Sequence, residues 1–361
     1  MKRVVFIFIA AVGLAACGTS EPPDQETPSS TFLNMVITGE AQGTTYTIRY
    51  IEDTVDYKTQ VDSILLRIDQ DLSTWVPSSL INQINAFDRT DTVFAFYDST
   101  KYFSVMFDVS REIWNKTDGA FDPTVYPLVD LWGFGLSNRG DVNDEAVMEA
   151  QSKVGMMEAN IDMIELEENY LYQTTWIRKG QEGVRLDFNA IAQGFSVDLI
   201  AEFLEEQGVN NYMVELGGEV SCKGVNAEGN AWRIAIDKPK DDGEREFQAI
   251  VNVRNKAVAT SGNYRKFYEV DGVRYSHTID PRTGYPVTHS LLSATVIASN
   301  CATADAYATS FMVMGKDDAI AFIEDGMVSG LEVYLIYDEG GVYKTWMTAG
   351  MSEVIEELND L

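Results

Sequence analysis

LDFNAIAQGFSVDLIAEFLEEQGVNNYMVELGGEVSCKG, residues 186–224, changes its hydrophobic period twice. VRLDF, 184–188, reads as a short strand that runs straight into a helix. From Asn189 the spacing becomes helical: Ile191, Phe195, Leu199 and Phe203 recur at every fourth position, and Gly208 closes the run. NYMVELGGEVSCKG then reads as strand, with Gly217-Gly218 inside it as a bulge or as bare backbone for a ligand to lie against. Downstream, residues 248–300 are nearly all strand: QAIVNVR, AVATSG, YEVDGVRYSHTI around an Asp271-Gly272 turn, and SATVIAS. Upstream, MVITGEAQGTTYTIRYI alternates as a strand or hairpin, and IDMIELEENYLYQTT as a hairpin turning at Glu168–Asn169. Helical spacing marks 61–72, 99–114 and 303–314; LEVYLIY and GVYKTWMT are closing strands. Strand runs mixed with separate helices, without internal repeats, predict a single α+β body of mixed or antiparallel sheets with flanking helices.

The remainder of the chain bounds this body. Lys2 and Arg3 precede an apolar run, residues 4–16, too short to span a bilayer as a helix, and the run ends in L-A-A-C. The pattern resembles a bacterial lipobox. It predicts a signal peptide over 1–16, a lipid on Cys17, a Pro/Ser/Glu-rich flexible linker over 17–34, and a folded domain over 35–361. That implies a lipid-anchored protein of the bacterial cell envelope, facing the periplasm. Cys222 and Cys301 are the remaining cysteines, and a disulfide between them is open but not implied. The net charge of −29 excludes nucleic acid as a partner.

Five stretches carry chemistry. In TADAYATS, 303–310, Asp305 and Thr309 stand four apart and share a helical face. With backbone carbonyls they make a hard oxygen set suited to Mg²⁺ at about 2.0–2.1 Å; on spacing alone they read more readily as a cap or surface pair. In DFNAIAQG, Asp187 precedes a helix N-terminus of the kind that binds phosphate. VELGGEV contributes the paired glycines. In TDGAFDPTV, Asp122 stands before a proline in a glycine-containing turn. SHTIDPRTGYPVTHS holds both histidines, His277 and His289, around a turn fixed by Pro281 and Gly284.

Taken in order, QGTTY, LSTWVPSSLINQIN, DGAFDPTVYPLV, LDFNAIAQGFSVD, VELGGEVSCKG, ATSGNYRKF, SHTIDPRTGYPV and TADAYATS resemble the ApbE family of FAD:protein FMN transferases over essentially the whole mature chain. The resemblance implies that FMN is transferred from FAD to a threonine hydroxyl of a target protein, with Mg²⁺ bound and AMP released. It implies Asp305 and Thr309 as metal ligands, joined by the carbonyls of Ala190 and Ala308. Ala120, Phe121, Asp122, Asp187, Gln193 and Ile279 match contacts to the flavin dinucleotide, and Gln42 and Trp75 match positions lining the same pocket. Gln193 stands where the family often has lysine, and Gln42 where it often has methionine. A threonine nucleophile needs a base, and His277 is the candidate, with Asp280 of the same turn as the second choice. His289 reads as structural or as a surface histidine. The implied acceptor is a periplasm-facing subunit of a redox-pump type. Two other readings keep the FAD site: a Mg²⁺-dependent FAD pyrophosphatase, and a flavin-binding lipoprotein without chemistry.

Overall fold

In the computed structural model, residues 34–51, 54–136, 142–157, 160–165, 174–240, 246–263, 267–270 and 273–358 are described. The signal peptide, Cys17 and nearly all of the linker, together with the Glu168–Asn169 and Asp271-Gly272 turns, lie outside them.

An eight-stranded sheet organises the protein. Its strands are β1 (Asn34–Ala41), β2 (Thr44–Ile51), β3 (Tyr212–Leu216), β4 (Glu219–Lys223), β5 (Lys256–Gly262), β6 (Leu291–Ala298), β7 (Glu332–Asp338) and β8 (Tyr343–Met347). Their order across the sheet is their order along the chain, and every neighbouring pair is antiparallel. Most helices and small-sheet strands are therefore insertions between successive strands, with Ile355–Glu357 following the last one. β6 is buried along almost its whole length, as expected for a strand covered on both faces.

One face is covered by helices α1 (Lys58–Leu72), α2 (Tyr102–Lys116), α3 (Ala192–Glu206) and α4 (Cys301–Met314). Ile48, Tyr50, Val214 and Leu216 pack on Leu65 of α1 and Ile200 and Leu204 of α3. Ala294, Val296 and Leu335 pack with Phe103 and Phe107 of α2 and Phe311 of α4. The other face is covered by a three-stranded sheet, Trp232–Asp237, Phe247–Val253 and Ile355–Glu357; its Val251 and Val253 meet Val220, Val258 and Ile336. A second small sheet joins Val93–Tyr97, Thr174–Lys179 and Ile161–Glu165.

Two strand readings change. VRLDF forms no strand: Leu186 gives its N–H to Asn85 Oδ1 (2.7 Å) and accepts from Asn85 Nδ2 (2.8 Å), while the Asp187 N–H donates to the Pro123 carbonyl (2.6 Å). A side-chain amide does the work of a neighbouring strand. Gly217-Gly218 is no bulge but the two-residue loop joining β3 to β4, with φ of +68° and +116°, a conformation open to glycine. Residues 34–51 form the expected hairpin, closed by Gln42-Gly43. Cys222 and Cys301 are both free and buried. Among the described residues no helix is long and apolar enough to cross a membrane.

α4 is buried on nearly all sides and rich in alanine, so α3 approaches it closely. The crossing point is Gly194. A Cβ there would lie 2.5 Å from the Cys301 carbonyl oxygen and 2.9 Å from Ala302 Cα. Gly194→Ala is expected to destabilise the fold by about 1–3 kcal/mol, seen as a lower urea midpoint with an unchanged m-value. A midpoint equal to wild type would show that the two helices part freely.

Candidate active site

The site gathers at one end of the main sheet. β2 pairs with β3 so that Tyr46 faces Leu216, and the Gly217 N–H donates to the Thr45 carbonyl (3.1 Å). The Gln42-Gly43 and Gly217-Gly218 loops therefore lie side by side. β5 pairs with β4 in the opposite sense, which brings its last residues, Ser261 and Gly262, to the same end. The N-terminus of α3 is there too: Gln42 Nε2 donates to Ser196 Oγ (2.7 Å), and a Cβ on Gly217 would lie 3.1 Å from Gln193 Nε2.

Asp305 is not a surface residue. It is 6% exposed, and its Oδ2 accepts the Gly194 N–H at 3.1 Å. Asp198 of α3 reciprocates by accepting the N–H groups of Cys301 (2.7 Å) and Ala302 (2.8 Å) at the start of α4. Each helix N-terminus is thus met by a carboxylate from the other. Thr309, one turn beyond Asp305, is half-buried, with its Oγ1 3.2 Å from Ser261 Oγ. Ala308 is fully buried, and Ala190 packs against the same core cluster, in the turn before α3. Burial drives the Asp305 carboxyl well above the usual range, assisted by the charge of Glu219 and opposed by the Gly194 N–H. Burial also pushes Glu219 up to about 7 and Asp198 to about 6.

A hard cation fits this chemistry. Buried carboxylates with raised proton affinity surround a helix N-terminus, and the oxygens Glu219 Oε2 and Gln42 Oε1 are buried without hydrogen-bond partners. The donors are oxygens throughout, which suits Mg²⁺ and not zinc. Among the described residues no three His, Cys, Asp or Glu side chains converge on one point. An ion beside Asp305 would therefore depend on a hydroxyl and backbone carbonyls for the rest of its shell.

The second wall is built from the DGAFDP turn and the chain at 184–189. Asp122 is buried; its Oδ2 accepts from Trp114 Nε1 (2.9 Å) and its Oδ1 from the Thr124 N–H (2.7 Å) and Oγ1 (2.5 Å). Burial still pushes it up to about 6 against those bonds. Asp187, also buried, has its carboxyl raised by burial and lowered by the Asn189 N–H, which donates to Oδ1 (2.8 Å). The Asp187–Pro123 hydrogen bond ties the two stretches together, and Ala120 and Phe121 are buried beside them. Lys179, fully buried, supports the wall from behind by donating to the Asn85 carbonyl (3.2 Å); burial lowers its ammonium to about 8. Trp75 is 60% exposed, on the loop between α1 and Leu80–Ala86. Neighbouring Thr74 reaches Asn189 (3.5 Å), so the indole stands at the rim.

The SHTIDPRTGYPV stretch closes on itself. Ile279 bridges Pro286, the Val287 N–H donates to the Thr278 carbonyl (3.0 Å), and the Gly284 N–H to the Asp280 carbonyl (2.8 Å). Ile279 is buried with Leu128, Trp132 and Val147, and Trp132 Nε1 donates to the Gly284 carbonyl (2.8 Å). A Cβ on Gly119 would lie 3.9 Å from Arg282 Cγ, so this turn adjoins the DGAF turn. His277 is half-buried, its ring edge-on to Phe134 with centroids 6.4 Å apart. Asp280 is held by Arg282 through Oδ1 to Nε (2.9 Å) and Oδ2 to Nη2 (3.0 Å). His289 is structural: Nδ1 accepts from the Leu291 N–H (3.2 Å), so Nε2–H donates to the Met312 carbonyl (2.8 Å). Burial lowers its pKa below the ordinary value.

Asn85, Ser261 and Glu219 were not singled out by the sequence reading. All three lie inside the quoted motifs, Glu219 directly after the paired glycines. Their residue types alone carried no signal.

Residues 42–335 match the ApbE family. An FAD:protein FMN transferase of Haemophilus influenzae is 37% identical over 359 residues, covering 96% of this chain and 96% of that protein. One of Vibrio cholerae is 38% identical over 304 residues, 82% of this chain and 86% of its own length. The solved structure of the flavin transferase ApbE from Vibrio cholerae has a TM-score of 0.75 at 34% identity, covering 90% of this chain and 99% of that one. The apo flavinyl transferase ApbE of Pseudomonas stutzeri has a TM-score of 0.75 at 31% identity, covering 90% and 97%.

The buried wall carries a pH signature. Asp122 moves from 3.8 to about 6 on folding, so the folded state holds its proton more tightly. Its stabilising contribution is full at low pH and is lost as pH rises through about 6. Urea midpoints of wild type in EDTA should therefore fall relative to those of Asp122→Asn between about pH 4 and 7. Parallel curves for the two proteins would rule out the shift.

Proposed function

The chain belongs to the ApbE family and is an FAD:protein FMN transferase; we propose that its acceptor group is a threonine hydroxyl and that it works with Mg²⁺ beside Asp305. The observation that carries the cation reading is the buried Asp305 carboxylate, fixed at the N-terminus of α3 by the Gly194 N–H among oxygen donors. Thr309 and the carbonyls of Ala190 and Ala308 would complete the protein's share of the ligands. When bound, Mg²⁺ supplies positive charge to the phosphate oxygens.

FAD lies, in this reading, between the α3 end and the DGAFDP turn. Its pyrophosphate faces the start of α3, where the Ala192 and Gly194 N–H groups are already held by the Phe188 carbonyl and Asp305, so that the cation and the Gln193 side chain would meet the anion. Gln193, Gln42, Asp187, Asp122, Ala120, Phe121 and Ile279 shape the pocket, and Trp75 offers a ring face at its rim. The threonine oxygen attacks the FMN phosphorus, the bond to the AMP oxygen breaks, and AMP leaves with the electron pair. His277 takes the hydroxyl proton. Asp280 is the weaker candidate, since its carboxylate is ion-paired with the Arg282 guanidinium and taking a proton would break that pair. We also propose that Cys17 is lipidated, tethering the enzyme to a bacterial envelope membrane where it meets a periplasm-facing redox-pump subunit. The n-region, apolar run and L-A-A-C support this.

Incubating the full chain with FAD, Mg²⁺ and a threonine-bearing acceptor should give an acceptor band that stays flavin-fluorescent after denaturation. FMN and AMP without that band would mean that water replaces threonine. Asp305→Asn should abolish most transfer, and His277→Asn should slow it about 10²–10⁴-fold with FAD still bound. Normal rates in His277→Asn would remove the histidine from the reaction. Cys17→Ala should leave the membrane fraction or remain unprocessed; an unmodified wild-type N-terminal peptide would end the tether reading.

A further inference from the structure

The loop between β3 and β4 presents a carboxylate that the transfer steps above leave unused. Glu219 is 7% exposed, and its Oε2 has no hydrogen-bond partner. A Cβ on Gly217 would lie 3.2 Å from that oxygen and 3.1 Å from Gln193 Nε2. The carboxylate is therefore tucked behind the glycine loop, against the first turn of α3 and one residue from Gly194, which binds Asp305. One turn along α3, Ser196 holds Gln42 Nε2 and leaves Gln42 Oε1 buried and also without a donor. Buried acceptors without donors are strongly disfavoured unless something absent from the bare protein satisfies them.

Resting on the Mg²⁺ reading above, we propose that Glu219 is a second anion of the cation centre, joined to the ion through water in its shell. Mg²⁺ gives up its waters reluctantly and takes only one or two carboxylates directly. Waters on the ion are donors, and donors are what Glu219 Oε2 and Gln42 Oε1 lack. Direct ligation by Glu219 is not needed, in keeping with the lack of a cluster of three His, Cys, Asp or Glu side chains among the described residues. Partners in the outer shell of a metal orient the inner ligands and raise affinity. The Gly217-Gly218 loop has a role in this arrangement: any side chain at Gly217 would press on Glu219 and Gln193.

The test is Mn²⁺ binding by the full chain without nucleotide, followed by the electron paramagnetic resonance of the free ion. Wild type, Glu219→Gln and Asp305→Asn are compared, and the unfolding temperature of each is measured in EDTA. Glu219→Gln should weaken Mn²⁺ binding about 10–100-fold. Its metal-free unfolding temperature should be no lower than wild type, because the amide keeps the shape and removes a buried charge. Wild-type affinity in Glu219→Gln, with binding lost in Asp305→Asn, would overturn the role of Glu219 and leave the cation site standing. A lower unfolding temperature without metal would mark Glu219 as structural and overturn it as well. Absence of Mn²⁺ binding by wild type would remove the cation site itself and this inference with it.

Discussion

Two helices cap one another. Gly194, in the first turn of α3, gives its N–H to Asp305 of α4, and Asp198 of α3 accepts the first two N–H groups of α4. Helix N-termini leave unpaired donors and partial positive charge, and carboxylates satisfy both. The exchange works only at close range, which is why a glycine lies where α3 crosses the Cys301 carbonyl. It takes Asp305 out of solvent and holds one of its oxygens in a fixed direction. A surface aspartate would bind a cation weakly; a buried, oriented one is what the proposed cation site requires.

The sheet then brings the remaining groups to that point. Because its strands follow chain order and alternate in direction, the hairpin loops at Gln42-Gly43 and Gly217-Gly218 and the end of β5 share one end. Motifs scattered over more than 200 residues meet there without a long connection crossing the site. In the proposed reading, the strongly acidic chain handles an anionic dinucleotide through the local positive charge of a bound cation beside the helix end. With glutamine at 193, a pyrophosphate placed there as proposed has one fewer cationic side chain beside it and would lean further on the metal.

Much of this was legible in the sequence. The repeat Ile191, Phe195, Leu199, Phe203 marked α3 and Gly208 its end, and alternation marked the strands of the sheet. VRLDF was misread because its partner is the Asn85 side chain, which no strand pattern announces. Gly217-Gly218 was misread because two glycines serve equally as a bulge or as a tight loop, and only pairing decides between them. Asp305 and Thr309 were ambiguous on spacing because the burial of α4 depends on how near α3 comes, a tertiary fact. Glu219 escaped notice for the same reason: an acid at the start of a strand is ordinarily solvated, and here the glycine loop covers it.

Crystals of the protein grown with Mn²⁺ and examined by anomalous scattering offer the most direct view of whether the capped aspartate is the metal ligand. The reciprocal capping predicts an anomalous peak within about 2.0–2.3 Å of an Asp305 carboxylate oxygen, with the Gly194 hydrogen bond to Oδ2 intact. A peak elsewhere in the protein, with Asp305 bonded only to Gly194, would contradict it.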